Sequence, residues 1–136
     1  MFLLQSVPLF AGLGEEMLLS VAAACEEVFF AAAEPLFMAG QMGRSLYVVA
    51  EGVVRVHREG QVLAELGVGE FFGEMALLTP EPRMASVTAV DPTTLLRLNR
   101  DTFNQLVDEH KEIARGVIAA LAQRLRTVTQ ALTNGG

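Results

Sequence analysis

The stretch Gly69-Glu70-Phe71-Phe72-Gly73-Glu74-Met75-Ala76-Leu77-Leu78-Thr79-Pro80-Glu81-Pro82-Arg83-Met84-Ala85-Ser86-Val87 decides how the chain is read. Glycines ahead of an apolar run let backbone amides approach a small anion. Residues 74 to 78, Glu-Met-Ala-Leu-Leu, are good helix formers that break the strand-like rhythm around them, which predicts a single helical turn inserted among strands. Ten residues after Gly73 stands Arg83, a fixed positive charge between a proline and a strand-like segment and suited to a charge-assisted contact with an anion. Together these residues read as a phosphate-binding cassette.

On either side of it, from Glu26 to about Leu98, short runs of Val, Phe, Leu and Tyr alternate with Gly, Pro, Asp and Glu. Regularly spaced short strands of this kind predict a closed or sandwiched antiparallel sheet. The clearest hairpin joins Val53–His57 to Val62–Leu66 through Arg58-Glu59-Gly60-Gln61, with Val54, Val56, Val62, Ala64 and Leu66 expected to face the barrel interior. Before the strands, Gly14-Glu15-Glu16 opens a short helix whose Leu18, Ala22 and Cys25 are spaced for one face. After Asn99-Arg100-Asp101, which offers two N-caps, the chain is helical to near Leu132. Ile113, Val117, Leu121, Leu125, Val128 and Leu132 form one slowly drifting apolar stripe there, and Asn134-Gly135-Gly136 reads as a cap and terminus.

With 136 residues, 51% of them hydrophobic, the chain has enough material for one domain with its own core and too little for two. Every apolar run is interrupted by Glu, Arg, Asp or Gln short of the roughly 20 residues that span a bilayer, so no membrane insertion is expected. Residues 1 to 10 lack a basic region and a cleavage site, and a cytoplasmic protein is expected. The net charge of -6, with Lys111 the single lysine, argues against a nucleic-acid partner, and the chain shows no helix-turn-helix after its long helix. A negative chain that binds an anion must overcome a repulsive field with local, aligned donors, which puts the weight on Arg83. Enzyme chemistry finds little support: His57 and His110 are too few and too far apart for a metal cluster, no Gly-x-Ser-x-Gly elbow occurs, and Cys25 has no basic neighbour to activate it.

The cassette resembles that of the cyclic-nucleotide-binding domain family, which includes the regulatory subunits of cAMP-dependent protein kinase, the bacterial catabolite activator and cyclic-nucleotide-gated channels. The resemblance rests on Phe72-Gly73-Glu74-Met75-Ala76-Leu77 and Pro82-Arg83-Met84-Ala85-Ser86-Val87, and extends upstream to Leu36-Phe37-Met38-Ala39-Gly40 and Leu46 through Val56. One departure is Ala33, where many members have a turn glycine. The resemblance implies one domain over 1–136: a helical lead-in (1–25), a jelly-roll-like antiparallel β-roll of the double-stranded β-helix type (26–98), and C-terminal helices (99–133) that end in a lid.

It further implies a ligand and its contacts. The ring phosphate would meet Arg83 and the amides at Gly73, Met75, Ala76, Met84 and Ala85, with the Arg83 contact contributing roughly 1.5–3 kcal/mol net. Glu74, beside Gly73, would accept the ribose 2′-hydroxyl; the alternative is a surface ion pair between Glu74 and Arg83. Family members that prefer cGMP often place a hydroxyl residue after the arginine, where this chain has Met84, so the expected ligand is cAMP, with cGMP the alternative and no cofactor. Phe72, Leu121 and Arg124 are the base and lid candidates. Arg124 either stacks on the purine or is a solvated charge favoured by the helix dipole, and Leu121 either meets the base or packs in the core. The expected output is an attached or partner effector, and the apolar stripe could instead pair two lids in a homodimer. A β-roll that keeps the fold for docking without a nucleotide is the rival reading.

Overall fold

In the computed structural model, residues 3–134 are described. Two 3-10 turns, Leu3–Ser6 and Pro8–Phe10, lead into helix α1 (Glu15–Ala24), with Glu15 and Glu16 in its first turn where the dipole favours acids. Ten strands follow: β1 (Glu26–Phe30), β2 (Pro35–Phe37), β3 (Met42–Gly43), β4 (Ser45–Glu51), β5 (Val54–Arg58), β6 (Gln61–Leu66), β7 (Phe71–Phe72), β8 (Glu81–Pro82), β9 (Ser86–Ala89) and β10 (Thr93–Asn99). A 3-10 turn, Glu74–Leu77, sits between β7 and β8, where the sequence predicts one. Helices α2 (Arg100–Glu109) and α3 (Lys111–Asn134) close the chain; residues 135 and 136 of the expected cap lie outside the described residues.

The strands make two antiparallel four-stranded sheets, β1-β10-β4-β7 and β2-β9-β5-β6, with β3 and β8 paired as a short strap. The sheets face one another across Tyr47, Val49, Val54, Val87 and Leu95. Because side chains alternate along a strand, Leu46 and Val48 of β4 point the other way, into a second core built with Phe10, Val21, Leu98, Phe103 and Ile113. Buried on both faces, β4 reads as a continuous apolar run, Leu-Tyr-Val-Val-Ala, where a half-exposed strand would alternate.

Several local expectations change in the folded chain. In α1 the buried face is Leu18 and Val21, with Cys25 beside them, while Ala22 is exposed: one position beyond Val21, it turns towards solvent. Cys25 donates to the Val21 carbonyl at 3.4 Å, and burial pushes its thiol up to about 11. The hairpin tightens to two central residues, Glu59 (φ 53°) and Gly60 (φ 79°), the positive pair that matches the twist of its strands. Its apolar face is not all internal. A bulge pairs Val56 with Ala64 but His57 with Val62, leaving Leu63 unpaired; Val62 is 52% exposed and Ala64 is also exposed, while Val54 is fully buried.

The C-terminal helical region bends at His110, whose backbone is extended (φ -131°, ψ 96°), so that Phe103 of α2 and Ile113 of α3 reach the same core. The stripe then splits: Ile113 and Val117 are buried, Leu121 is half-buried, and Leu125, Val128 and Leu132 are exposed.

Ala33, where the resemblance implies a turn glycine, takes the left-handed conformation that favours glycine, at φ 68°. Bonds from Ala33 N–H to the Ala89 carbonyl (2.8 Å) and from Ala89 N–H to the Glu34 carbonyl (2.9 Å) hold it there. The left-handed region costs a side-chain-bearing residue about 1–2 kcal/mol, and a glycine returns roughly half of that as unfolded-state entropy. Ala33→Gly is therefore expected to raise stability by about 0.5–1 kcal/mol in urea unfolding at constant m-value; a loss of stability would contradict the strain.

Candidate functional site

Gly73 begins the site with φ 80°, capping the Glu74–Leu77 turn. A Cβ there would lie 2.6 Å from Arg83 Nη1 and 2.6 Å from the Ser45 carbonyl, so the position requires glycine for both conformation and space. Glu74 and Met75, the first two residues of the turn, have amides with no partner inside it, whereas Ala76 N–H is bonded to the Gly73 carbonyl at 3.1 Å.

Arg83 lies in the irregular link between β8 and β9, pinned through its own backbone: its N–H donates to the Gln41 carbonyl (2.7 Å) and its carbonyl accepts from Gly40 N–H (2.8 Å). Its guanidinium donates from Nη2 to the Ser45 carbonyl at 3.0 Å and lies over the Phe37 ring, 4.3 Å from the centroid, with Tyr47 at 5.9 Å. Gly43 makes room for it, since a Cβ there would fall 2.7 Å from Nε. Among the described residues no carboxylate reaches ion-pair distance of Arg83. Half-buried, its pKa is lowered by desolvation, with Tyr47 acting the other way. A desolvated guanidinium without a counter-ion is a site for an anion.

Glu74 is 9% exposed. The surface pair with Arg83 does not form. Instead Glu74 Oε1 accepts from Arg124 Nη2 at 2.5 Å, and Met75 Sδ lies 3.8 Å from Arg124 Nη1, so α3 is tied to the cassette turn. Glu74 Oε2 is buried with no hydrogen-bond partner. An open carboxylate oxygen in that setting calls for a donor. Between the turn and β9 runs a cleft of about 340 Å³, with Phe37, Phe72, Val56 and Val87 as apolar wall and Arg83, Glu74 and Glu81 as charged groups.

The structure thus brings Phe72, Gly73, Glu74, Met75, Ala76, Arg83, Met84 and Ala85 to one cleft. Arg124 reaches it through Glu74 and Met75, and Leu121 packs against the helical core. Sequence reasoning gave no role to Gly43, Ser45, Phe37 or Tyr47, which seat Arg83 from remote segments. Their signal is faint: a glycine before β4 and aromatic residues in strands that also need them for packing. Among the described residues no group of three or more His, Cys, Asp or Glu could hold a metal ion, and no helix is long and apolar enough to cross a membrane.

Comparison with known proteins gives the family and the fold. The sequence model described as the cyclic nucleotide-binding domain matches residues 27–110. A cyclic AMP receptor protein of Thermus thermophilus is 38% identical over 128 residues, covering 90% of this chain and 59% of that protein. A cyclic nucleotide-gated potassium channel of Mesorhizobium japonicum is 38% identical over 112 residues, covering 82% of this chain and 31% of the channel. Among solved structures, the N-terminal domain of a transcriptional regulator from Streptomyces coelicolor superposes with a TM-score of 0.90 at 36% identity, covering 96% of this chain and 94% of that one. The chain belongs to the cyclic nucleotide-binding domain family, whose fold it has: antiparallel sheets with an N-terminal helix and C-terminal helices. It spans 59% of the Thermus relative's length and less than a third of the channel's.

Proposed function

We propose that the chain is a cAMP sensor with no catalytic role, acting in the cytoplasm or at the cytoplasmic face of a membrane, and that occupancy of its cleft is passed to an effector through α3. The observation that carries the reading is the half-buried, uncompensated Arg83 beside free turn amides, with the partnerless Oε2 of Glu74 in the same cleft. A ring phosphate satisfies the guanidinium and the Glu74 and Met75 amides; a ribose 2′-hydroxyl donates to Oε2 while Oε1 keeps Arg124. The apolar wall takes the base, and Met84 in place of a hydroxyl residue favours adenine over guanine.

The Glu74–Arg124 bond sets the direction of signalling. Ligand contacts that fix Glu74 also fix the helix bonded to it, so binding shifts the population of α3 positions by the difference in binding free energy between them. The bond supports a latch on Glu74 as the role of Arg124, in preference to a stack on the purine. The name of the Thermus relative supports cAMP as ligand, and the Streptomyces domain supports an output unit of the transcriptional kind, attached or separate.

Calorimetric titration of nucleotide-stripped protein with cAMP and cGMP tests the reading. Saturable binding with cAMP the tighter ligand is expected. Arg83→Ala should weaken cAMP by about 10–150-fold, equivalent to 1.5–3 kcal/mol, with Arg83→Lys only a partial substitute. Glu74→Gln should narrow the preference for cAMP over 2′-deoxy-cAMP. An Arg83→Ala affinity within twofold of the parent would remove the phosphate assignment, and an unchanged 2′-deoxy ratio the ribose assignment.

The exposed half of α3 supports a homodimer through that helix. Ile118, Leu125, Val128 and Leu132 are exposed, and with Leu121 they are spaced by three, four, three and four residues, the seam of a two-stranded coiled coil. Sedimentation should give a dimer that Leu125→Glu with Leu132→Glu converts to monomer; a parent that sediments as a monomer at every concentration would exclude the pairing.

A further inference from the structure

We propose that Met84 and Met75 are a reversible peroxide-oxidation site whose sulfoxides weaken nucleotide capture, an inference that rests on the cyclic-nucleotide reading above. Of the five methionines among the described residues, Met17 packs against the core, while Met38, Met42, Met75 and Met84 are 52%, 55%, 40% and 76% exposed. These four are not scattered over the surface. Met84 follows Arg83 and lines the cleft; Met75 lines it from the opposite, cassette-turn side. Met42 pairs with Pro82 across the β3–β8 strap, and Met38 bonds to Gln41, whose carbonyl holds the Arg83 N–H. Every exposed described thioether is thus within one strap or turn of the anion-binding arginine.

Methionine oxidation follows exposure, and it turns a flexible apolar side chain into a polar, chiral one that reductases can restore. A thioether sulfur donates an electron pair to one oxygen of hydrogen peroxide. The O–O bond breaks, the sulfur is oxidised by two electrons to the sulfoxide, and the second oxygen leaves as water with both protons. Cys25 lies away from the cleft, half-buried and donating to the Val21 carbonyl.

The two sites act on different parts of the cleft. At Met84 a sulfoxide puts a strong dipole on the rim against which an apolar base face must dehydrate. At Met75 the sulfur already faces Arg124 Nη1 at 3.8 Å, and a sulfoxide oxygen is a far better acceptor than a thioether. Drawn harder to Nη1, the sulfoxide re-aims the guanidinium whose Nη2 holds Glu74 and so loosens the bond through which the ribose carboxylate is tied to α3.

The test is graded hydrogen peroxide treatment of the full chain, with sulfoxide at each methionine mapped by peptide mass spectrometry and cAMP affinity measured before and after. Met84 and Met75 should oxidise well before Met17. Affinity should fall about tenfold as they do, the scale set by desolvating one unsatisfied dipole, and should return with methionine sulfoxide reductases A and B. Each protein is compared with itself, and in the Met75→Leu, Met84→Leu double variant the ratio before and after peroxide should be near one. A parent ratio near one with both sulfoxides formed overturns the proposal. So does a tenfold loss that survives in the double variant, or one that runs parallel to a loss of circular dichroism signal. If the untreated chain binds neither cAMP nor cGMP, the sensor reading itself fails before peroxide is added, and this proposal falls with it.

Discussion

The burial of β4 on both faces is the constraint from which the rest of the molecule follows. Tyr47 and Val49 face the second sheet while Leu46 and Val48 face the helices, so the strand can neither slide nor tilt without exposing one core or the other. Its first residue, Ser45, inherits that rigidity and distributes it. The Ser45 carbonyl accepts Arg83, and the Ser45 hydroxyl donates to Asn99 Oδ1 at 2.5 Å, at the N-cap of α2. One fixed residue therefore positions both the uncompensated guanidinium and the start of the C-terminal helices. A site that recognises a small anion needs its donors set in advance, because a flexible arginine would lose in ordering entropy much of what the contact gains.

Charge is distributed unevenly in a way that overall composition hides. With a net charge of -6 the chain repels anions at long range, and ten basic residues are spread among sixteen acidic ones. Most of this imbalance is solvated and screened within about 10 Å at ordinary ionic strength. Inside the cleft the balance is different. Oε1 of Glu74 accepts from Arg124, brought from α3, Glu81 stays outside ion-pair distance, and Arg83 is left with a carbonyl and two aromatic rings. Neutral partners hold the guanidinium in place without using up its charge. A carboxylate at the same distance would have held it as firmly and abolished the site.

Much of this was legible in the sequence because the cassette is local. Gly73, the helical turn at 74–77, Arg83 and Met84 stand within a dozen residues of one another, and Gly73 has the residue type its positive φ demands. Strand positions with strong alternation, such as Val54, were legible for the same reason. What escaped depends on register between distant segments. Gly43 and Ser45 contact Arg83 from about forty residues away, and no periodicity marks them. The bulge that turns Val62 outward costs nothing in the local pattern, which still alternates as if the strand were regular. Arg124 reads in the sequence as a lid arginine stacked on a base or as a solvated charge; its bond to Glu74 depends on the path of α3, which no local pattern shows.

That path divides α3 into a half that serves the fold and a half tied to the cassette by one side chain. The first half of α3 is anchored by Ile113 and Val117, where Gly116 lets Leu13 approach so closely that a Cβ would sit 2.6 Å from Leu13 Cδ2. Beyond Leu121 the apolar stripe meets no core, and the tie to the β-roll is the contact of Arg124 with Glu74 and Met75. Exposed ion pairs contribute little, typically 0–1 kcal/mol, but Glu74 is buried, and breaking a pair that leaves a buried carboxylate uncompensated costs more. The position of the outer half of α3 is therefore governed by what Glu74 requires. In the proposed sensor a ligand hydroxyl on its open oxygen would change that requirement, and this single carboxylate would be the point where binding chemistry becomes helix position.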